Sequence, residues 1–189
     1  MNLRALAWRL HWYRQSELEG ALLLGRMVRL ASDEELCARL TQHCADEARH
    51  SLLWAKAIER LRLPYVRILR SYQSFYGEVP TTLTEVLVFT QIFERRVHKQ
   101  FVAEARDPDT PEEARRTFQV MIEDEKDHLD WVRDWLHQWP ESEALLRKYE
   151  GIDARVYRQI EPYTERLWEV GGLGRECEIY DEQPVLECA

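Results

Sequence analysis

Two short runs in this chain, Asp46-Glu47-Ala48-Arg49-His50 and Asp124-Glu125-Lys126-Asp127-His128, each set a carboxylate and an imidazole three residues apart behind an aspartate. On a helix that step brings both side chains to one face at nearly the same height, where a single cation can take both. The pattern extends upstream. Glu17 precedes Glu47 by 30 residues and Glu94 precedes Glu125 by 31, so the lone acid repeats with a shift of 77 and the Glu and His pair with a shift of 78. One Glu-x-x-His arises readily by chance on a charged helix. Two of them, each with a core-facing Glu at a matching distance, form a specific signal.

These polar residues interrupt stripes that are otherwise apolar. One seam reads Leu36, Leu40, His43, Glu47, His50, Trp54, Ala57, Leu61, and another reads Ala114, Phe118, Met121, Glu125, His128, Val132, Trp135. Four carboxylates gathered inside without cations are prohibitive, because such groups neutralise or stay in water. Two divalent ions supply the missing charge. Glu17, Glu47, His50, Glu94, Glu125 and His128 are therefore the metal-ligating candidates. An oxygen-rich set with imidazoles suits two ions of iron or of manganese, or a mixed manganese and iron pair, better than zinc or copper, and ligand type alone does not separate iron from manganese. Glu17 is preferred to Glu19, which lies about 160° round the helix from the stripe at roughly 100° per residue. His43 points towards the same layer from one turn before Glu47, as an extra ligand or as a core imidazole behind the ligands. His98 reads as an interface residue and Tyr13 as core or as a redox-active phenol. Arg95, Arg96, Arg115 and Arg116 read as solvated faces.

The elements that must carry these residues follow from three- and four-residue apolar periodicity. Helix one spans about Leu3 to Leu30. Ser32 with Glu35 has the form of a capping box and opens a second helix from about Asp33 to Leu61. The aromatic stretch from Arg62 to Pro80, with Tyr65, Tyr72, Phe75 and Tyr76 and then Gly77, is too long for a tight hairpin and reads as a crossover. Thr82 with Glu85 opens a third helix ending near Arg106. Thr110, Pro111 and Glu113 open a fourth, with Pro at its first position, that reaches about Gln138. Two short helices are expected after it, about Ser142 to Tyr149 and Ile152 to Glu169, the second kinked at Pro162. Gly171, Gly172 and Gly174 then end regular structure before a tail. The expectation is all-α, a four-helix bundle over residues 1–140 with one long crossover, and extra C-terminal helices and a tail over 141–189 packed on the same domain.

Whole-chain numbers agree with one helical domain. The 189 residues are 45% hydrophobic and 32% charged, with only seven Gly and seven Pro. A formal charge of −8 with interspersed basic residues argues against nucleic acid as a partner. No apolar run is long enough to span a bilayer and the start has no secretory pattern, so a cytoplasmic protein without a membrane partner is expected. Cys37, Cys44, Cys177 and Cys188 form no Cys-x-x-Cys pair, which excludes a rubredoxin-type iron site and a zinc ribbon. Cys37 and Cys44 read as small buried apolar residues.

From Leu10 to Trp135 the sequence resembles the ferritin-like di-iron carboxylate superfamily, which includes rubrerythrins, the small subunit of ribonucleotide reductase and bacterial multicomponent monooxygenase hydroxylases. The resemblance implies that Glu47 and Glu125 bridge two metals, with Glu17 and His50 at one end and Glu94 and His128 at the other. The Asp before each paired Glu resembles the monooxygenase branch, and implies that Asp46 accepts from His128 and Asp124 from His50. Rubrerythrins carry a further Glu where this chain has Val97, and storage ferritins lack the second His. The implied activity is an oxidoreductase that activates O₂ or H₂O₂, with Glu47 and Glu125 at the reacting centre. It would act on a small-molecule substrate and draw electrons from a separate donor protein. A ferroxidase and a metal-free helical interaction module are the alternatives. The supply of Trp and Tyr points to a homodimer.

Overall fold

The computed structural model describes residues 3–68, 76, 80–170 and 177–180, with the backbone alone for 159–170 and 177–180. Its long helices are α1 (Leu3–Met27), α2 (Glu34–Arg60), α3 (Leu83–Arg106), α4 (Glu112–Leu136) and α5 (Ser142–Val170). Among the described residues the fold is all-helical apart from one four-residue-per-strand ribbon, β1 (Tyr65–Ile68) against β2 (Cys177–Tyr180), paired antiparallel from Tyr65 opposite Tyr180 to Ile68 opposite Cys177. Tyr72, Phe75, Gly77, the three glycines 171, 172 and 174 and most of the tail lie outside the described residues.

Local chemistry explains where the helices begin. Thr82 and Glu85 form the expected capping box: Glu85 N–H donates to Thr82 Oγ1 at 3.2 Å and Thr82 N–H to Glu85 Oε2 at 3.1 Å. At α2 the cap is Asp33 instead of Ser32. Its Oδ1 accepts from Leu36 N–H at 2.9 Å, while Ser32 donates to the other carboxylate oxygen at 2.8 Å. A carboxylate is the stronger acceptor for an orphan helical N–H, and it displaces the hydroxyl by one position. Pro111 is the cap residue of α4 and stands just before its first turn. Helix one is α-helical to Met27 and ends in a 3-10 turn, Val28–Leu30. Past α4 there is one helix where two were expected, because α5 runs through Gly151 and Pro162 without a break.

Side-chain contacts give the direction of each helix. On α1 and α2, Ser51 Oγ donates to Arg14 O and Cys44 Sγ to Ala21 O, so the two run antiparallel. On α1 and α3, Arg9 binds Glu104 and Gln100 donates to Tyr13, again antiparallel. On α2 and α4, Arg60 meets Glu113 and His128 meets Asp46, antiparallel once more. Helices α2 and α3 therefore point the same way.

Helix α5 packs on α3 and α1. Asp153, 3% exposed, receives Tyr76 Oη at 2.5 Å and Arg96 Nε at 2.9 Å, and the Arg96 guanidinium lies 4.1 Å over the Tyr157 ring. Arg96 is thus a clamp between helices, against the expectation of a solvated face. Arg115 Nη2 likewise ties the α3–α4 link, donating to Asp107 O and Thr110 O. Arg95 and Arg116 are exposed, as expected. Cys37 and Cys44 are free thiols and only half-buried. Among the described residues no helix is long and apolar enough to cross a membrane.

Two apolar clusters fill the interior. One holds Leu10, Tyr13, Trp54, Phe101, Phe118 and Met121, and the other holds Leu24, Leu36, Leu40, Val86, Val132 and Leu136. On α1, α2, α3 and α4 alike, the residues between these clusters are the acids and histidines singled out above.

Candidate metal centre

Glu17, Glu47, Glu94 and Glu125 are 2–7% exposed, and His43, His50 and His128 are 0–3% exposed. They divide into two groups in which one ligand atom per residue lies within 4.8 Å of the others: His43, Glu47, Glu94 and His128, and Glu17, Glu47, His50 and Glu125. Glu47 belongs to both. All six residues expected as ligands are together, and His43 joins them: its Nε2 is 2.7 Å from Glu94 Oε1 and 3.5 Å from Glu47 Oε1. Its ring stacks on His128 at 3.7 Å between centroids. Glu125 is grouped with Glu17 and His50, and its Oε2 stands 3.9 Å from His128 Nδ1. Glu19 stays outside, receiving Gln15 Nε2 at 2.9 Å, and Glu85 is occupied by its cap. His98 is a half-buried residue apart from both groups.

The aspartates sit behind the imidazoles. His50 Nε2 is 3.0 Å from Asp124 Oδ2, and His128 Nε2 is 3.5 Å from Asp46 Oδ2. A carboxylate only accepts, so each Nε2 carries the proton and each Nδ1 turns its lone pair inward. Arg49 bridges the same aspartates, with Nη2 2.5 Å from Asp124 Oδ2 and 3.6 Å from Asp46 Oδ1. Sequence spacing carried no sign of this cross-link, since Arg49 reads as an ordinary charged helix residue.

Left without hydrogen bonds in this layer are Nδ1 of His50 and His128, Oε1 of Glu47, and Oε2 of Glu94 and Glu125, while His43 Nε2 has Glu94 Oε1 at 2.7 Å. A buried polar atom without a partner costs about 1–3 kcal/mol, so five in one layer are untenable unless something else satisfies them. Cations fit the requirement. Lone pairs of oxygen and imidazole nitrogen converge, and four carboxylates match the charge of two divalent ions.

Without cations, protons must do the neutralising. Burial, then the charge of Glu47, pushes Glu17 up to about 8. Burial and the charges of Glu94, Glu47 and Glu17 hold Glu125 well above the usual carboxylate range. Burial also opposes ionisation of Glu47, but His43, His50 and His128 outweigh it and bring it down to about 2. For His43, burial favours the neutral ring and is overcome by Glu94 and Glu47, which raise it to about 10. His50 follows the same balance, lifted to about 9 by Glu17, Glu47 and Asp124. His128 moves down, through burial and the neighbouring imidazolium charges, against the pull of Glu94 and Glu47.

Next to the shared carboxylate lies a cavity of about 20 Å³ between α1 and α3, lined by Gly20, Leu23, Leu24, Phe89, Thr90 and Phe93 as well as by the acids. That is room for one water-sized molecule. Leu24 and Thr90 line it, whereas Leu40 and Met121 are buried in the apolar clusters on either side. Gly20 was missed. Its role comes from the approach of another helix, which periodicity along α1 does not reveal. No protein-family model, curated protein or solved structure matches the chain.

Proposed function

We propose that this protein is a di-iron carboxylate oxidoreductase of the ferritin-like kind, in which α1–α4 form a four-helix bundle with one long crossover. The helix directions support the bundle: α1 opposes α2 and α3, α2 opposes α4, and α2 runs with α3. The observation that carries the site is Glu47, a single carboxylate shared by two groups of four buried ligands. Glu17, His50 and Glu125 would complete one ion and His43, Glu94 and His128 the other.

When bound, the two ions would supply Lewis acidity and redox equivalents towards O₂ or H₂O₂. The chain's own residues do the rest. Asp46 and Asp124 hold the Nε2 protons and aim Nδ1 of His128 and His50. Leu23, Leu24, Phe89 and Phe93 keep bulk water from the layer. Electrons would come from a separate donor protein.

Protein prepared without chelators and loaded anaerobically with iron-57 should hold two ions per chain and give the Mössbauer signature of a spin-coupled pair after oxidation. Uncoupled iron, or less than one ion per chain, would sink the proposal. The small cavity favours a second reading, oxidation of Fe(II) without an organic substrate. Repeated Fe(II) additions separate the two: accumulating mineral supports the ferroxidase, and a single stoichiometric oxidation supports the oxidoreductase.

A further inference from the structure

Gly20 sits on α1 one turn after Glu17, in the interior of a helix, where glycine costs roughly 1 kcal/mol relative to alanine. The cost has a local reason. A Cβ at this position would stand 2.8 Å from Oε2 of Glu47, 3.5 Å from its Cδ and 3.7 Å from its Cγ. Real side chains do not approach that closely, so an added methyl must displace the carboxylate. The same glycine lines the 20 Å³ cavity, so the methyl would also enter a space beside the ligands that admits a small molecule.

We infer that Gly20 is a positioning residue for the dinuclear site: by lacking a side chain it lets the Glu47 carboxylate stand where both ligand groups use it, and it keeps the adjoining cavity open. This inference rests on the dinuclear reading above.

What the methyl would meet decides the outcome. A free carboxylate end is the flexible tip of a side chain and rotates away from a new neighbour at little cost. A carboxylate held by two ions has no such freedom, because moving it breaks the coordination of both. Gly20→Ala therefore spares the metal-free fold and damages the metal site. A glycine needed only for helix packing behaves the other way, weakening the fold with or without metal. Gly25 supplies the comparison. It lies on the same helix, and its added Cβ would meet Cys44 Sγ at 3.2 Å and no ligand atom.

The experiment uses the full chain, stripped of metal, as wild type, Gly20→Ala and Gly25→Ala. Each is melted without metal and then titrated with Co(II) alone, following visible absorption and stoichiometry. The expected result is a Gly20→Ala melting temperature at or above that of wild type, Co(II) binding weakened about 10- to 100-fold, and an altered cobalt spectrum. Gly25→Ala should keep wild-type affinity and spectrum. A Gly20→Ala protein that binds two Co(II) with unchanged affinity and spectrum overturns the inference, and so does one that fails to fold without metal, which would mark a packing glycine. Wild type that takes up no Co(II) points to a different failure, that of the dinuclear reading itself, and removes this inference with it.

Discussion

His43 and Glu47 differ in how many ions each should control. Glu47 serves both ligand groups and His43 only one. Glu47→Gln keeps the side-chain size and removes the shared charge, so metal content should fall from about two ions per chain to below one. His43→Asn leaves Glu17, Glu47, His50 and Glu125 in place, so content should fall to about one. Elemental analysis of the two variants reads this directly, and equal losses would show that the groups are not separate sites. A different histidine tests the fold by itself. His11 is 1% exposed, donates Nδ1–H to Ala7 O at 2.8 Å and meets Tyr65 edge-on at 5.5 Å. Burial lowers its pKa from 6.5 to about 4; the Ala7 bond raises it a little and Arg14 lowers it further. Between those values the unfolded chain takes up a proton that the folded chain refuses, so stability is full above 6.5 and is lost as pH falls towards 4. The loss should reach about 3 kcal/mol. His11→Gln lacks the titrating ring, so the stability difference between wild type and variant in urea should narrow from pH 7 to pH 5. A constant difference would show that His11 titrates normally in the fold.

The helices show which kinds of signal can be read from sequence. Thr82 and Glu85 were found because a capping box is local, two residues satisfying each other's backbone within one turn. Thr82→Ala should cost about 1 kcal/mol in a denaturant melt, and Thr82→Ser close to nothing. Equal losses would mean that the methyl group, and not the hydroxyl, holds this end of α3. The lone and paired acids were readable for a similar reason: polar residues on a core seam stand out against the stripe, and their doubling removed chance. What was not readable depends on distant chain. The ribbon of β1 and β2 joins Tyr65 to Tyr180, and neither strand announces itself alone. The sequence reads as two helices parted between Tyr149 and Ile152, yet the glycine in that gap, Gly151, lowers helix propensity without forbidding it, and contacts with α1 and α3 hold α5 through. Arg96 looked solvated until Asp153 arrived from α5. Gly20 and the Arg49 bridge likewise become visible only once α1, α2 and α4 are set against one another.

Across the molecule, two apolar clusters are separated at mid-height by a layer of ionisable groups, so α1, α2, α3 and α4 are each well packed at both ends and electrostatically strained in the middle. The strain is carried by protons or by cations, and the two solutions are not equivalent. Protons leave inward lone pairs unsatisfied, whereas two divalent ions satisfy them and draw all four helices to one point. Metal should therefore stabilise the whole helical fold. An ion bound only by the folded chain contributes about 4 kcal/mol when free metal stands a thousandfold above its dissociation constant. Chelation should lower the denaturant midpoint, and anaerobic Fe(II) should restore it. The loss should also be uneven. Amide exchange should quicken at the middle turns around Glu17, Glu47, Glu94 and Glu125, while the turns carrying Leu10, Trp54, Phe101 and Phe118 keep their protection, because apolar packing there owes nothing to the ions. Exchange that is identical with and without metal, together with an unchanged midpoint, would mean that the buried acids are neutralised within the chain and that the layer is not a metal centre.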